Sequence, residues 1–330
     1  MLYPLTFHPI FKERLWGGRT LETLYQKPLP PGTFVGECWE ISDRPGDASV
    51  IANGPLAGKN LRWLMEHHGA ELLGPAKTIP SRFPLLVKVL DAREKLSLQV
   101  HPPPLAAARL GGEPKTEMWY VTHAAPGAEL FVGLKRGVTR EQFERHMADA
   151  AVTECLHRVS VQAGDAMFLP SGRLHAIGGG LVLFEIQQNS DTTYRVFDWN
   201  RLDRDGKSRQ LHIAESLASI DFDDIEPALV PRLWQGQAPF KSRLLVNHPL
   251  FRVDALAVES GAGMRLSQSR MRIVGLVAGR AIVTDGAQSV ELSPGHFCLV
   301  PASIKTEVQL DPATTFLLVQ DGENGPSPSA

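Results

Sequence analysis

Cysteine is scarce in this chain of 330 residues, which has only Cys38, Cys155 and Cys298. They are odd in number and widely spaced, and they contain no C-x2-C pair, so the sequence predicts no disulfide framework. Buried, reduced thiols are typical of proteins in a reducing compartment. We therefore expect a cytoplasmic protein.

An excess of charge and a long apolar run are also absent. With 34 basic and 36 acidic side chains the formal net charge is -2, which gives no general attraction to nucleic acid or to acidic membranes. No apolar stretch reaches the roughly 18 residues that a membrane-spanning helix needs. The first residues lack the basic segment and apolar core of a signal peptide. The sequence thus predicts neither a nucleic-acid partner nor a membrane partner.

Short apolar runs separated by Gly and Pro make up most of the chain and predict an all-β fold. Helical signals are few. Asn60 is placed to cap one helix, and Thr139 with Gln142 forms a capping-box pattern for a second. Residues 211–219 are a third candidate. All three precede Pro231, so we expect helical insertions in the N-terminal part and strands alone after it.

An internal repeat predicts two barrels of the same kind. Residues 295–301 copy the spacing of residues 164–170. Thr306 stands in the second copy where His175 stands in the first. The second barrel is therefore predicted to lack a metal site.

The Pro-punctuated stretch at 227–239 is the predicted connection between two domains. We expect residues 1–235 to form a catalytic metal-binding domain with helical insertions. Residues 236–322 would then form a C-terminal barrel without metal. The composition of residues 323–330 predicts a disordered tail.

The run from Gly164 to His175 carries the stronger of two functional motifs. Gly164 turns the chain into a short apolar strand, which Pro170 and Gly172 end. His175 then follows a tight turn with its imidazole free to face the barrel interior. This G-x5-P-x-G-x2-H pattern resembles the second signature motif of the cupin superfamily, which usually has Asn where this chain has Gly179. The resemblance implies cupin barrels of the double-stranded β-helix, or jelly-roll, type.

The second motif lies in residues 95–101, where polar and apolar residues alternate as in a half-buried strand. A period of two places Gln99 and His101 on one face, as two ligands of one ion require. Glu117 follows at the start of the next apolar strand. A lone His or Glu is more often a surface or core residue than a ligand. The order and strand context of all four candidates, with His175 as the fourth, favour a metal site.

Several further segments follow one another in this order: Leu15-Trp-Gly-Gly18, Cys38-Trp-Glu-Ile-Ser42, residues 83–92, Leu98-Gln-Val-His-Pro102, Lys115-Thr-Glu-Met-Trp119, residues 190–198 and Leu211-His-Ile-Ala214. Together these segments resemble the type I mannose-6-phosphate isomerases, in their short bacterial form. The similarity covers roughly residues 5–222 well and the remainder loosely.

The resemblance implies a metal-dependent aldose-ketose isomerase that interconverts mannose 6-phosphate and fructose 6-phosphate through a cis-enediol. It implies a phosphorylated hexose as substrate and one divalent metal ion, usually zinc, bound by four residues: Gln99, His101, Glu117 and His175. Two imidazoles, an amide and one carboxylate leave a bound dication with net positive charge, which polarises substrate oxygens without redox chemistry. Nitrogen and oxygen ligands alone do not fix the metal. Monomer and homodimer both remain open.

Arg195 and Lys115 are the candidate catalytic residues. The resemblance implies an active-site role for Arg195, whose guanidinium could hold the phosphate or stabilise a developing enediolate oxygen. The alternative is a surface arginine paired with Asp191 or Asp198. Lys115 lies two residues before Glu117, on the same strand face. There it could move protons or bind phosphate as a cation, or it could be a surface lysine.

Trp16 and Glu40 are candidate substrate-binding residues. Trp16 with Gly17 and Gly18 offers an aromatic wall and a close backbone approach, and its alternative role is burial in the core. Glu40 is an acid inside an apolar strand, and its alternative role is to pair with a buried Arg or Lys. Lys88 is interpreted as structural, capping the polar face of its strand.

Two other classes of function remain open. One is another cupin enzyme, either a different sugar-phosphate isomerase or a metal-dependent oxygenase. A facial triad with open positions suits an iron oxygenase, and the neutral Gln99 as a fourth ligand argues against it. The other is a non-catalytic sugar-binding bicupin, which would tolerate the absence of the metal ligands and of Arg195.

Overall fold

The computed structural model of the chain describes residues 1–75, 79–149, 151–202 and 205–322. The tail predicted at 323–330 lies outside these residues. Strands account for 42% of the structure and helices for 15%, so the predicted mostly β class is confirmed.

Four antiparallel sheets and one short hairpin contain the strands of the described chain. The strands of the N-terminal part are β1 (Ile10–Gly18), β2 (Val35–Ile41), β3 (Asp43–Arg44), β4 (Asp47–Ala48), β5 (Leu85–Ala92), β6 (Leu98–Val100), β7 (Glu117–Ala124), β8 (Glu129–Leu134), β9 (Leu156–Ser160), β10 (Ala166–Leu169), β11 (His175–Ile177), β12 (Leu181–Gln188) and β13 (Tyr194–Phe197). Those of the C-terminal part are β14 (Phe240–His248), β15 (Phe251–Val258), β16 (Ala262–Leu266), β17 (Arg272–Ala278), β18 (Ala281–Thr284), β19 (Ser289–Leu292), β20 (Phe297–Val300), β21 (Thr306–Leu310) and β22 (Thr314–Asp321).

The N-terminal and C-terminal strands form separate sheets. The first N-terminal sheet has the order β1-β2-β5-β12-β7-β10, the second N-terminal sheet has the order β13-β6-β11-β8-β9, and β3 pairs with β4. The two C-terminal sheets have the orders β14-β15-β22-β17-β20 and β16-β21-β18-β19. Non-consecutive strands pair in each of these four sheets, so residues that are far apart in the sequence become neighbours.

Five α-helices and one 3₁₀ turn lie in the described residues: α1 (Thr20–Tyr25), α2 (Leu61–Leu73), α3 (Pro104–Leu110), α4 (Arg140–Ala148), α5 (Ile213–Ser219) and the turn Val152–Cys155. The Asn60 side chain accepts a hydrogen bond from Trp63 N at 2.8 Å, and Thr139 with Gln142 forms the capping box, so both predicted helix starts are confirmed. The third predicted helix is α5. The sequence did not predict α1 and α3, which have six and seven residues. None of the helices in these residues is long and apolar enough to cross a membrane.

Three apolar clusters pack against the N-terminal sheets, and two of them involve the first sheet. One lies between those sheets and joins Trp119 and Leu183 of the first sheet to Val132 of the second. The other joins the opposite face of the first sheet to the C-terminal part, where the rings of Phe184 and Phe297 have centroids 4.9 Å apart. The first N-terminal sheet is therefore buried on both faces.

Arg243 connects the N-terminal and C-terminal sheets through hydrogen bonds. It lies on β14 and is 2% exposed. Its guanidinium donates to the carbonyl oxygens of Gly164 at 2.7 Å, Val230 at 2.6 Å and Pro231 at 2.9 Å. Because Gly164 precedes the strand that leads to His175, the C-terminal part helps to fix that strand.

The two copies of the sequence repeat have the same local structure. Gly164 and Gly295 have φ values of +87° and +78°, and each lies two residues before a strand, β10 or β20. His175 begins β11 and Thr306 begins β21. The repeat found in the sequence is therefore also a repeat of structure.

Candidate metal centre

His101, Glu117 and His175 meet in the interior of the N-terminal part. The Nε2 atom of His101 lies 3.5 Å from Glu117 Oε2, and the Nε2 atom of His175 lies 3.5 Å from Glu117 Oε1. One potential ligand atom of each residue lies within 4.8 Å of the other two. The three residues are only 2%, 1% and 1% exposed. Three of the four predicted ligands therefore converge on one buried point.

Strand pairing and one tight turn bring these residues together. His175 begins β11 and is the register partner of Gln99 on β6, and His101 follows directly after β6. Glu117 begins β7 in the facing sheet. Gly172 has φ +92°, which favours glycine, and its N–H donates to the carbonyl of His101 at 2.8 Å. The turn predicted before His175 therefore holds the two histidine segments side by side.

Both imidazoles direct a lone pair at the cluster. His101 Nδ1 lies 2.9 Å from the carbonyl oxygen of Thr192, and His175 Nδ1 lies 2.9 Å from that of Arg173. A carbonyl can only accept, so each Nδ1 carries the proton and each Nε2 has the lone pair. Burial lowers the pKa of His101 to about 4 and also lowers the pKa of His175. Both rings are therefore neutral at pH 7, the state that binds metal ions.

Lys115 is a buried cation beside the cluster. Its Nζ atom lies 2.7 Å from Glu117 Oε2 and 3.9 Å from Glu185 Oε1. Burial alone would raise the pKa of Glu117, but Lys115 and His101 hold that pKa well below its ordinary value. Glu117 is therefore an anion at neutral pH. The predicted surface alternative for Lys115 does not hold, because the residue is 4% exposed.

The residues of the cluster fit a divalent metal ion. Among the buried polar atoms of the described residues, His101 Nε2 and His175 Nε2 have no hydrogen-bond partner. An acceptor buried without a donor costs about 1–3 kcal/mol, a cost that a bound cation would remove. Two imidazole nitrogens and a carboxylate are a donor set that suits zinc and several other divalent ions.

Gln99 and Arg195 lie in the same row of the second sheet as His175. Gln99 on β6 is the register partner of both His175 on β11 and Arg195 on β13. Directly opposite residues of antiparallel strands project from the same face. The half-buried Gln99 is therefore placed on the face that carries the cluster, where its amide oxygen is the fourth candidate ligand.

Arg195 is half-buried and only partly paired. Its Nη1 atom donates to the carbonyl of Gln210 at 2.7 Å, and its Nε atom is buried without a partner among the described residues. Asp198, one of the two acids considered as its surface partner, instead contacts Arg201 and Arg209 at 2.5 Å each. Burial lowers the pKa of Arg195, and the positive charge of Arg209 lowers it further. The guanidinium remains charged, and its buried Nε–H has no acceptor among the described residues.

A chain of buried charges continues from Lys115 across the first sheet. Glu185 Oε1 lies 3.1 Å from Lys88 Nζ, and Lys88 Nζ lies 3.5 Å from Glu37 Oε2. The indole N–H of Trp119 donates to Glu185 Oε2 at 3.0 Å. Carboxylates and ammonium groups therefore alternate from the cluster to β2. The sequence interpretation of Lys88 as a cap of a polar face missed this chain.

The pKa shifts agree with a fully ionised chain. Burial alone would lower the pKa of Lys88, but Glu185 and Glu37 raise it. Burial alone would raise the pKa of Glu37, but Lys88 and Arg14 hold it at about 2. The sequence did contain a signal, since Lys88 and Glu185 each stand between two apolar neighbours within a strand. A charge buried in this way requires a partner.

Trp16 has the environment of a core residue. It is 4% exposed and belongs to the cluster that contains Trp119. The Trp119 ring stands edge-on to the imidazole of His175, with centroids 5.3 Å apart. Trp16 thus lies in the shell of side chains behind the site, which matches its alternative role, and its contact with substrate stays a prediction.

Glu40 pairs with a buried lysine, as its alternative role proposed. Glu40 Oε1 lies 2.8 Å from Lys27 Nζ, and Cys38 Sγ donates to the same oxygen at 2.9 Å. The register of β2 shifts between Trp39 and Ile41, a bulge that breaks the two-residue period at Glu40. The substrate contact predicted for Glu40 is therefore not supported by its position.

The fold and the centre define a mostly β protein with a buried His-Glu-His metal site between two antiparallel sheets. The family model for the catalytic domain of phosphomannose isomerase type I matches residues 5–112. The chain is 36% identical over 307 residues to the mannose-6-phosphate isomerase of Streptococcus mutans, a match that covers 93% of this chain and 95% of that protein. The chain belongs to the phosphomannose isomerase type I family.

Solved structures share the whole fold. The crystal structure of the mannose 6-phosphate isomerase from Bacillus subtilis has a TM-score of 0.86 and 30% identity, with coverage of 96% of this chain and 99% of that one. A mannose 6-phosphate isomerase solved with bound zinc and yttrium has a TM-score of 0.74 and 18% identity, with coverage of 97% and 99%. At 18% identity, the match to the zinc- and yttrium-bound structure shows a similarity of fold alone.

Proposed function

We propose that this protein is a metal-dependent aldose-ketose isomerase that interconverts mannose 6-phosphate and fructose 6-phosphate through a cis-enediol. The observation that carries the proposal is the buried cluster of His101, Glu117 and His175, whose two imidazole Nε2 atoms lack partners. The relatives that cover nearly the whole chain are named for this reaction. The substrate is accordingly a phosphorylated hexose.

His101, Glu117 and His175 would hold one divalent ion, with Gln99 as the fourth ligand. Zinc is the proposed metal, because it suits this donor set and because a structural neighbour was solved with zinc. When bound, the ion supplies Lewis-acid polarisation of substrate oxygens. The neutral Gln99 leaves only one negative charge among these ligands, so the centre stays net positive and favours an anionic, enediolate-like transition state.

Arg195 and Lys115 are the proposed catalytic residues. Moving a proton between C1 and C2 of the open-chain sugar places negative charge on an enediol oxygen, and fixed cations stabilise that charge. The unpartnered N–H of Arg195 would bind either this oxygen or the phosphate. Lys115 is held beside Glu117 by their ion pair, which orders its ammonium group at the edge of the centre.

We also propose that each pair of sheets closes into a cupin-type barrel. Residues 1–235 would form the catalytic barrel with α1 to α5 as insertions, and residues 236–322 would form the second. The division of strands between sheets and the structural repeat support this proposal. Thr306 replaces the histidine in the second copy, so that barrel would hold no metal. The three buried, unpaired cysteines are consistent with a cytoplasmic location.

A metal-dependent oxygenase is the second candidate, because two histidines and one carboxylate also form the facial triad of non-haem iron enzymes. The charged residues of the site favour the isomerase. Oxygen chemistry needs an oxidisable substrate pocket, whereas Arg195 and Lys115 offer cations that suit a phosphorylated, anionic substrate.

The test is a coupled assay of mannose 6-phosphate conversion with the purified protein, the chelator-treated protein and the same sample after zinc is added back. Turnover lost on chelation and restored by zinc supports the isomerase. Oxygen consumption is recorded in parallel with iron-loaded protein. Absence of isomerisation from a sample that contains one metal ion per chain would refute the proposal, and oxygen uptake would favour the second candidate.

A further inference from the structure

Gln187 is a buried amide beside Glu117 that the proposed reaction does not use. It lies on β12 as the register partner of Glu117 on β7, so both side chains project from one face. Gln187 is 0% exposed. Its Nε2 atom donates to the carbonyl of Gln188 at 2.8 Å and to that of Ser190 at 2.6 Å. Because both partners only accept, the amide nitrogen must face them and the oxygen must face away.

The segment from Ser190 to Thr192 connects this amide to the metal centre. Thr192 N donates to Ser190 Oγ at 3.3 Å, and that hydroxyl donates to the carbonyl of Glu113 at 3.3 Å. Glu113 N in turn donates to Thr192 Oγ1 at 3.0 Å. The Thr192 carbonyl is the acceptor for His101 Nδ1 at 2.9 Å. One residue thus separates the carbonyl that Gln187 holds from the carbonyl that orients His101.

Only one end of the Gln187 amide is paired. The Oε1 atom of Gln187 is buried and has no hydrogen-bond partner among the described residues. Methionine would fill a similar volume without an unpaired oxygen. It could not donate to Ser190. The hydrogen bond to the Ser190 carbonyl is therefore what glutamine provides at this position and an apolar residue does not.

We propose that Gln187 is a positioning residue for the metal centre. By holding Ser190 it keeps the Thr192 carbonyl in place, and this carbonyl fixes His101 with its proton on Nδ1 and its lone pair on Nε2, toward Glu117 and His175. The hydrogen-bond partner of a metal-binding histidine sets its tautomer and ring orientation. An imidazole ordered in advance binds the ion at lower entropic cost. The proposal rests on the metal site of the proposed function.

The first experiment measures zinc affinity in Gln187→Met, by competition with a chromophoric chelator. The control is Gln268→Met, because the Gln268 amide also donates to a backbone carbonyl, that of Ser303 at 2.7 Å, but at an exposed position in the turn between β16 and β17. We expect the Kd for zinc to rise about tenfold or more in Gln187→Met and to stay unchanged in the control. The midpoint of thermal unfolding is measured for each apoprotein, so that the loss of zinc affinity can be compared with any loss of stability.

The second experiment reads the tautomer of His101 in the apoprotein, by a long-range ¹H–¹⁵N correlation spectrum of histidine-labelled samples. The parent should show a single Nδ1–H form, and Gln187→Met should show a mixture of the two tautomers. Gln187→Asn keeps an amide that is one methylene too short to reach Ser190, so it should give the same changes even if the methionine variant folds poorly.

Parent-like zinc affinity and His101 signals in either Gln187 variant would overturn the proposal. A rise in Kd that goes with an equal loss of thermal stability in the apoprotein would overturn it too, because the amide would then serve only folding. If the parent itself bound no zinc, the proposed function would fail. The tautomer of His101 in the apoprotein would still test the positioning role of Gln187.

Discussion

Removing Glu185 tests the chain of buried charges most sharply. In Glu185→Leu, Lys88 loses the carboxylate at 3.1 Å and keeps that of Glu37 at 3.5 Å, and the indole N–H of Trp119 loses its acceptor. Removing one partner of a buried ion pair costs about 3–5 kcal/mol, since the remaining charge stays away from water. The unpaired indole N–H adds to this cost, and Glu37 reduces it. We therefore expect the free energy of unfolding to fall by about 4 kcal/mol.

The double variant Lys88→Met/Glu185→Leu should recover most of this loss. A buried ion pair replaced by apolar side chains of similar volume is often neutral or stabilising. Glu37 would still have Arg14 Nε at 2.6 Å and the indole N–H of Trp39 at 2.7 Å as partners. We expect the double variant to lie within about 1–2 kcal/mol of the parent.

The assay is urea unfolding of the apoproteins, followed by tryptophan fluorescence and far-UV circular dichroism. Coincident transitions allow the midpoints to be converted to free energies with a common slope. The reasoning is refuted if Glu185→Leu loses less than about 1 kcal/mol, or if the double variant is no more stable than Glu185→Leu alone.

Three further predictions concern the metal centre. His175→Ala should lose bound metal and turnover together, because the ion loses an imidazole, and retention of one metal per chain by mass spectrometry would contradict the site. Arg195→Ala should keep the metal while kcat/KM falls about 100-fold or more. Unchanged steady-state kinetics would show that Arg195 has no catalytic role. The pKa of His101 is lowered from 6.5 to about 4, so the unfolded chain binds a proton more readily than the folded chain. The apoprotein should therefore lose about 3 kcal/mol of stability as the pH falls from 6.5 to 4, and a flat unfolding midpoint over that range would disprove the assignment.

Local rules were sufficient to predict the features of the site that depend on short segments. The turn before His175 follows from Gly172, since its left-handed φ favours glycine. The helix starts at Asn60 and Thr139 follow from side-chain capping. Each of these features is determined within a few residues of sequence, so the spacing of residues was sufficient to place it.

Features that depend on strand pairing were not predictable in this way. A bulge at Glu40 turns its side chain to a partner, Lys27, that a two-residue period does not anticipate. Lys88 and Glu185 are far apart in the chain and become neighbours only because β5 and β12 pair. The role proposed for Gln187 likewise depends on a segment that connects two sheets.

The position of Arg243 has a consequence for recombination between relatives. A crossover near residue 235, where the sequence suggests a boundary between domains, would place Arg243 in one parental segment and its three carbonyl partners in the other. A hybrid gene that supplies another residue at position 243 could preserve all four sheets and still encode a protein in which the Gly164 carbonyl, before the strand toward His175, has lost this donor. The choice of residue at position 243 in one half is therefore coupled to the placement of Gly164 in the other, although the His-Glu-His cluster lies in the first half.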